Sequence, residues 1–177
     1  MKSISLFLFA VFAISSAQIS LNRDKSAIKI SGTSSLHDWE MTVEDFDVAG
    51  RITEDQVTDL KVSVTAKSMK SGKTIMDEKA YDAVQAEDYA TIYFSAESLQ
   101  LKGNAIEGQG KLQIANKSRE IDFSAKIIKQ DNKEVQIQGA VPLKMSDFEI
   151  TPPTAMFGTL KTGDEVVIGF DVSINKY

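Results

Sequence analysis

Apolar residues recur at every second position along most of this chain. Ile28 and Ile30 begin the series, and Trp39, Met41 and Val43 continue it. Phe46, Val48, Gly50 and Ile52 form the next set, followed by Leu60, Val62, Val64 and Ala66. Further on come Leu99 and Leu101; Ile106, Gly108, Gly110, Leu112 and Ile114; Ile121, Phe123, Ala125 and Ile127; Val135, Ile137, Gly139, Val141 and Leu143; and Val166, Ile168, Phe170, Val172 and Ile174. A period of two places one set of side chains on one face of a strand. Polar turn signals separate the sets at Glu54-Asp55-Gln56, Lys102-Gly103-Asn104, Asn116-Lys117-Ser118 and Gln130-Asp131-Asn132-Lys133. About eight strands at roughly 8–12-residue spacing predict an all-β sandwich or barrel. The small residues from Gly32 to Ser35 predict a bend or bulge within one strand running from Ile28 to Val43.

One stretch, Ser68 to Phe94, breaks the alternation. Met76, Ala80, Ala83 and Val84 recur at three- and four-residue spacing, which stacks them on one helix face. Asp77, Lys79, Asp82 and Gln85 are expected to point away. Ile92, Phe94 and Ala96 then restore the strand period. A single short amphipathic helix must bury its stripe against a sheet, and the end of a closed antiparallel sheet offers that place. Gly108, Gly110 and Gly139, at inward positions of good strands, favour a barrel, because missing side chains permit sharp coiling or leave interior volume. A barrel of this size is either plugged by its own side chains or holds one slender ligand. The segment Met145 to Lys161 contains Pro152-Pro153, which cannot continue a ladder. Its Phe148, Ile150, Met156 and Phe157 are expected to pack against the helix and close that end.

Composition narrows the setting. The 177 residues suit one domain. Lys2, the apolar run Ile4 to Ile14 and the small residues Ser15-Ser16-Ala17 read as a signal peptide over residues 1–17, cleaved before Gln18, with residues 18–177 as the exported periplasmic or secreted domain. No later run approaches the roughly 20 apolar residues of a membrane-spanning helix. With no cysteine, lipoprotein anchoring, disulfides and thiolate chemistry are all absent from the expected repertoire. A net charge of -5 argues against nucleic-acid binding, which needs clustered cations.

Candidate chemistry is sparse. His37 is the only histidine, its neighbour Asp38 falls on the opposite face of a strand, and no G-x-S-x-G elbow is present. One histidine makes a poor zinc site. His37 reads instead as a hydrogen-bonding residue near a barrel mouth, or as a contact for a polar head group. No catalytic residue, metal or cofactor is expected. Trp39 suits barrel-end packing, and Met69, Met76, Met145 and Met156 lie beside turns, helix and strand ends. Lys70, Lys73 and Lys79 form a loose basic cluster in the helical segment.

Several motifs together resemble the YceI family of exported, lipocalin-like polyisoprenoid-binding proteins, in the branch with a G-T-S-x-L-H-D-W start. They are Gly32-Thr33-Ser34 with Leu36-His37-Asp38-Trp39; Met69-Lys70-Ser71-Gly72 with Met76-Asp77 and Lys79-Ala80-Tyr81; Ile92 with Phe94; and Asp147-Phe148, Pro152-Pro153-Thr154 and Gly163-Asp164-Glu165-Val166. The resemblance implies an eight-stranded antiparallel lipocalin-like barrel, capped at one end by the helical insert. It implies an apolar tunnel for a long-chain isoprenoid, a quinone-like lipid or another fatty amphiphile. The expected lining is Trp39, Phe46, Val62, Val64, Met76, Tyr81, Ile92, Phe94, Leu112, Ile114, Phe123, Val141, Phe148, Phe157, Ile168 and Phe170, with His37 and Lys73 for a polar head group. Transient membrane contact and a homodimer are compatible with that role. An enzyme acting on a bound isoprenoid through His37, or a ligand-free stress or interaction module with a filled barrel, are the competing readings.

Overall fold

A computed structural model describes residues 16–177, so the expected leader, apart from its last two residues, lies outside the described residues. The strands are β1 (Ala17–Ser34), β2 (Trp39–Val43), β3 (Phe46–Ile52), β4 (Gln56–Thr65), β5 (Met69–Lys70), β6 (Thr91–Lys102), β7 (Ala105–Ile114), β8 (Lys117–Gln130), β9 (Glu134–Lys144), β10 (Thr154–Ala155) and β11 (Leu160–Lys176). Eight of them close an antiparallel barrel in the order β1-β3-β4-β6-β7-β8-β9-β11, and β11 pairs back onto β1. Closure leaves no long unpaired edge.

The predicted bend at Gly32 to Ser35 is instead a reversal. Gly32 pairs with Trp39 and Ile28 with Val43, so β1 and β2 form a hairpin. The Ser34 hydroxyl makes the turn, accepting from the N–H groups of Leu36 and His37 and donating to the His37 carbonyl at 2.6 Å. Small hydroxyl residues supply such local bonds, and a run of small residues carries that possibility as readily as a bulge. Strands β2 and β3 lie along the same flank of β1, interrupted at Glu44-Asp45. There Asp45 accepts from Thr65 Oγ1 at 2.7 Å and Arg23 at 3.0 Å, while its backbone carbonyl accepts the Thr65 N–H.

The interior glycines have a specific use. A Cβ on Gly110 would stand 2.3 Å from the Phe94 ring, and one on Gly139 2.3 Å from the Phe170 ring. Phe123 stacks between the two rings, at 5.3 Å from Phe94 and 5.6 Å from Phe170. Across β6, β7, β8, β9 and β11 the order is therefore Phe, Gly, Phe, Gly, Phe. Of the two uses their position suggested, coiling or interior volume, Gly110 and Gly139 do not serve the second: they seat a band of aromatic rings, while a Cβ on Gly108 would meet Leu99.

The helix α1 (Thr74–Ala83) follows a tight link at Ser71-Gly72-Lys73. Asp77, expected to face solvent, is 8% exposed and accepts from the Ser71 N–H at 2.7 Å and the Ser71 hydroxyl at 2.6 Å. Those bonds draw the carboxylate inward and tie the first turn of the helix to the link before it. The Ser71 hydroxyl first, then its N–H and the Lys70 charge, hold the Asp77 carboxyl below its usual range, against the opposing pull of burial. The helix crosses the end of the barrel that also carries the turns after β1, β7 and β9. At the opposite end Leu99, Ile106, Val135 and Ile174 are at most 2% exposed and form a floor.

Two measurements test this account. Gly139→Ala is expected to lower stability by about 1–3 kcal/mol through overpacking, whereas Gly169→Ala, where an added methyl meets nothing within 4 Å, leaves it unchanged. Matching thermal transitions for the two variants would refute the ring-seat account. Asp77 contributes stability in full above its unfolded value near pH 4 and loses it as pH falls through the lower folded value. Asp77→Asn is expected to lower Tm by about 2–4 °C at neutral pH, with the gap to wild type closing in acid.

Candidate functional site: an apolar cavity with a polar rim

The barrel encloses a cavity of about 910 Å³ that extends from the floor to the helix-bearing end. The wall below the mouth is aliphatic and aromatic. Ile28, Ile30, Met41 and Val43 supply it from β1 and β2, and Leu60, Val62 and Val64 from β4. The Phe94, Phe123 and Phe170 band faces it from the other side. Met76, Ala80, Ala83 and Val84, the helix stripe, form part of the roof.

Polar lining is confined to one end. Ser34, His37, Lys73, Thr74, Lys79, Thr154, Lys161 and Thr162 are the lining side chains with hydroxyl, imidazole or ammonium groups, and they come from α1, the link before it and the loops and strand ends of the helix-bearing end. The charged ones among them are lysines; no Asp or Glu lines the cavity. A group bound here thus meets cations at the rim and hydrocarbon everywhere below it.

Most of the expected lining residues converge. Trp39, Val62, Val64, Met76, Ile92, Phe94, Leu112, Ile114, Phe123, Val141, Ile168 and Phe170 all border the cavity, with His37 and Lys73 at the mouth. Trp39 packs over Gly32 and donates its indole N–H to the Thr33 carbonyl at 3.0 Å. The His37 ring lies exposed on the turn, with Nδ1 2.6 Å from the Asp38 carbonyl oxygen. Four expected residues stand elsewhere. Phe46 is buried in the core at the Glu44-Asp45 break, where β3 begins. Phe148 is buried in a second cluster with Leu112, Ile114, Met145, Ile150 and Val166, because the chain coils tightly at Met145–Phe148 and wedges the ring beneath the helix end. The Tyr81 hydroxyl donates to the Met69 carbonyl at 3.0 Å and accepts from Lys70 at 2.6 Å, so it fastens α1 to β5. This also removes Lys70 from the free cations. Phe157, expected inside, is fully exposed, and Met156 beside it is 68% exposed.

Lys161 was not anticipated at the rim, whereas Lys79 belongs to the basic cluster with Lys70 and Lys73 that would meet an anionic head group if the mouth faces one. Lys79 was assigned to the outer helix face, but it sits one turn from Ile75 and Met76 on the side that borders the opening. Lys161 arrives through a link between loops, in which its N–H donates to Ser35 Oγ at 3.1 Å and its carbonyl accepts the Ser35 N–H at 2.9 Å. No local pattern in the sequence reports that contact. Among the described residues, no three His, Asp or Glu side chains form a metal-holding group.

Similarity to known proteins agrees with this architecture. The YceI-like domain model matches residues 15–174. No curated protein matches the chain in sequence. Among solved structures, Burkholderia cenocepacia BcnA superposes with a TM-score of 0.74 at 17% identity, covering 86% of this chain and 98% of that one. A polyisoprenoid-binding domain from Saccharophagus degradans, implicated in plant cell wall breakdown, gives 0.68 at 11% identity over 90% and 98%. The Campylobacter jejuni YceI protein gives 0.62 at 15% identity over 99% and 92%. With the domain model spanning nearly all of its length and the same barrel closing around its cavity, the chain belongs to the YceI-like family.

Proposed function

We propose that the cavity holds the tail of a long-chain isoprenoid or isoprenoid-quinone-like amphiphile, with its polar head at the lysine-bearing rim, and that the protein serves as a carrier or reservoir. The observation that carries this reading is the separation of polar from apolar lining along one axis of the cavity. An amphiphile has the same separation. The volume of about 910 Å³ lies near the upper end of the roughly 300–1,000 Å³ of small-molecule sites. The Saccharophagus degradans domain, described as polyisoprenoid-binding, supports the ligand class. The leader-like run at Ile4 to Ile14 supports placing this activity in the periplasm or outside the cell.

Energetics favour carrying over trapping. Burial from water is worth about 0.8 kcal/mol per methylene, so a long tail taken from water would approach the ceiling of about 18–21 kcal/mol for non-covalent binding. A tail taken from a bilayer is already out of water. Exchange between bilayer and barrel is then nearly neutral, and head-group contacts and fit decide its direction. Binding rather than catalysis also suits His37, whose ring contacts a backbone carbonyl on an exposed turn instead of a carboxylate.

The test is extraction and mass spectrometry of the protein purified from an exporting bacterial host. A stoichiometric isoprenoid or quinone is expected. A clean unliganded mass that persists after incubation with membrane lipids would rule the reading out. Phe94→Asp, which places a carboxylate in the aromatic band, is expected to cut the retained lipid about tenfold or more, since a buried unpaired charge costs several kcal/mol. A folded variant with undiminished lipid would show that the cavity is not where the ligand sits.

A further inference from the structure

The hairpin between β10 and β11 projects apolar side chains into solvent in an unfavourable backbone conformation. Ala155 pairs with Leu160, and the turn between them places Met156 at φ 50°, Phe157 at φ 56° and Gly158 at φ 86°. The left-handed region suits glycine or asparagine; two consecutive bulky residues there are costly. Yet neither side chain is buried: Met156 is 68% exposed and Phe157 fully so. The folded monomer gains nothing from them that asparagine and glycine would not provide with less strain.

Their surroundings suggest what does gain. Leu36, 66% exposed, is on the turn after β1, and the Ser35–Lys161 backbone link holds that turn against the β10–β11 hairpin. Ile75, 72% exposed, is in the first turn of α1 on the same rim. Leu36 and Ile75 thus border one opening with Lys73, Lys79 and Lys161, and Met156 and Phe157 form the tip of the hairpin whose Thr154, Ala155 and Leu160 line the same opening. A chain of net charge -5 is repelled as a whole by an anionic surface. Screening confines that repulsion to about 8 Å at physiological salt, so the charges nearest the surface weigh most at contact, and those lining the opening are Lys73, Lys79 and Lys161 with no carboxylate among them.

We propose that the mouth docks on an anionic phospholipid bilayer, with Met156 and Phe157 as the deepest inserting residues, Leu36 and Ile75 beside them, and the three lysines against the lipid phosphates. Apolar fingers with a cationic collar are the composition that binds a membrane interface. Docking in this orientation sets the cavity opening directly on the lipid surface. The proposal stands on the exposed rim and does not require that the cavity be occupied.

The experiment compares wild type with the double variant Met156→Asn, Phe157→Gly in sedimentation with phosphatidylcholine vesicles containing or lacking phosphatidylglycerol. Asparagine and glycine accept the turn's backbone, so the variant is expected to keep or raise its Tm. Wild type is expected to bind the phosphatidylglycerol vesicles, more weakly as salt rises, and the variant to bind at least about tenfold less. Its co-purified lipid per protein is expected to be unchanged, which separates loss of docking from loss of the cavity ligand. Equal binding by the two proteins, or no vesicle binding by wild type, overturns the proposal. So does a wild-type dimer in analytical ultracentrifugation that the variant dissociates without any vesicle binding, since a second copy would then be what covers the tip.

Discussion

The interior of this barrel depends on steric exchange between phenylalanine and glycine on neighbouring strands. An eight-stranded barrel has little room inside, and three stacked rings along one wall fit only because Gly110 and Gly139 present no side chain beneath Phe94 and Phe170. The exchange flattens the rings against the β6–β11 wall. The facing wall, from β1 to β4, carries aliphatic side chains below Trp39. What remains between a flat aromatic wall and a shorter aliphatic one is an elongated space, so the cavity follows from where the rings are allowed to lie.

The second constraint is polarity along the barrel axis. Buried polar groups require partners, and among the described residues no buried side-chain nitrogen or oxygen lacks one. Asp77 meets Ser71, Tyr81 meets Met69 and Lys70, and Ser173, fully buried, donates to Glu134. Each of these groups spends its hydrogen bonds on holding elements together. The polar side chains left facing the cavity are those of the rim, which is why the helix link and the loops, rather than the strands, set the chemistry of the opening.

The strands and the helix were legible because their periods differ and each apolar set had one plausible face. Strand number left a sandwich or a barrel and the inward glycines favoured the barrel; eleven of the twelve lining residues then followed from alternation, and Met76 from the helix stripe. Other features depended on contacts distant in sequence or on bonds the pattern does not encode. The Gly32–Ser35 run reverses the chain because Ser34 caps its own turn. Asp77 turns inward because Ser71 offers it two donors. Phe148 and Phe157 belong to one loop with similar apolar character, but a tight coil buries the first and a left-handed turn ejects the second. Hydrophobicity alone assigned both to the interior. Lys161 reaches the rim through a bond to Ser35, over a hundred positions away in the chain.

The floor formed by Leu99, Ile106, Val135 and Ile174 gives the barrel a blind end, and a blind end makes it a ruler. Hydrocarbon tails offer no hydrogen-bonding handle by which one length can be told from another. A cavity open at both ends would accept any of them. On the reading proposed above, a tail that stops short leaves wall atoms without contact partners, and the lost dispersion grows with every missing group. A tail that is too long strikes the floor before its head reaches the lysines. For the amphiphile proposed above, length is then what such a wall discriminates, and lengthening or shortening a floor side chain is the direct way to reset the scale.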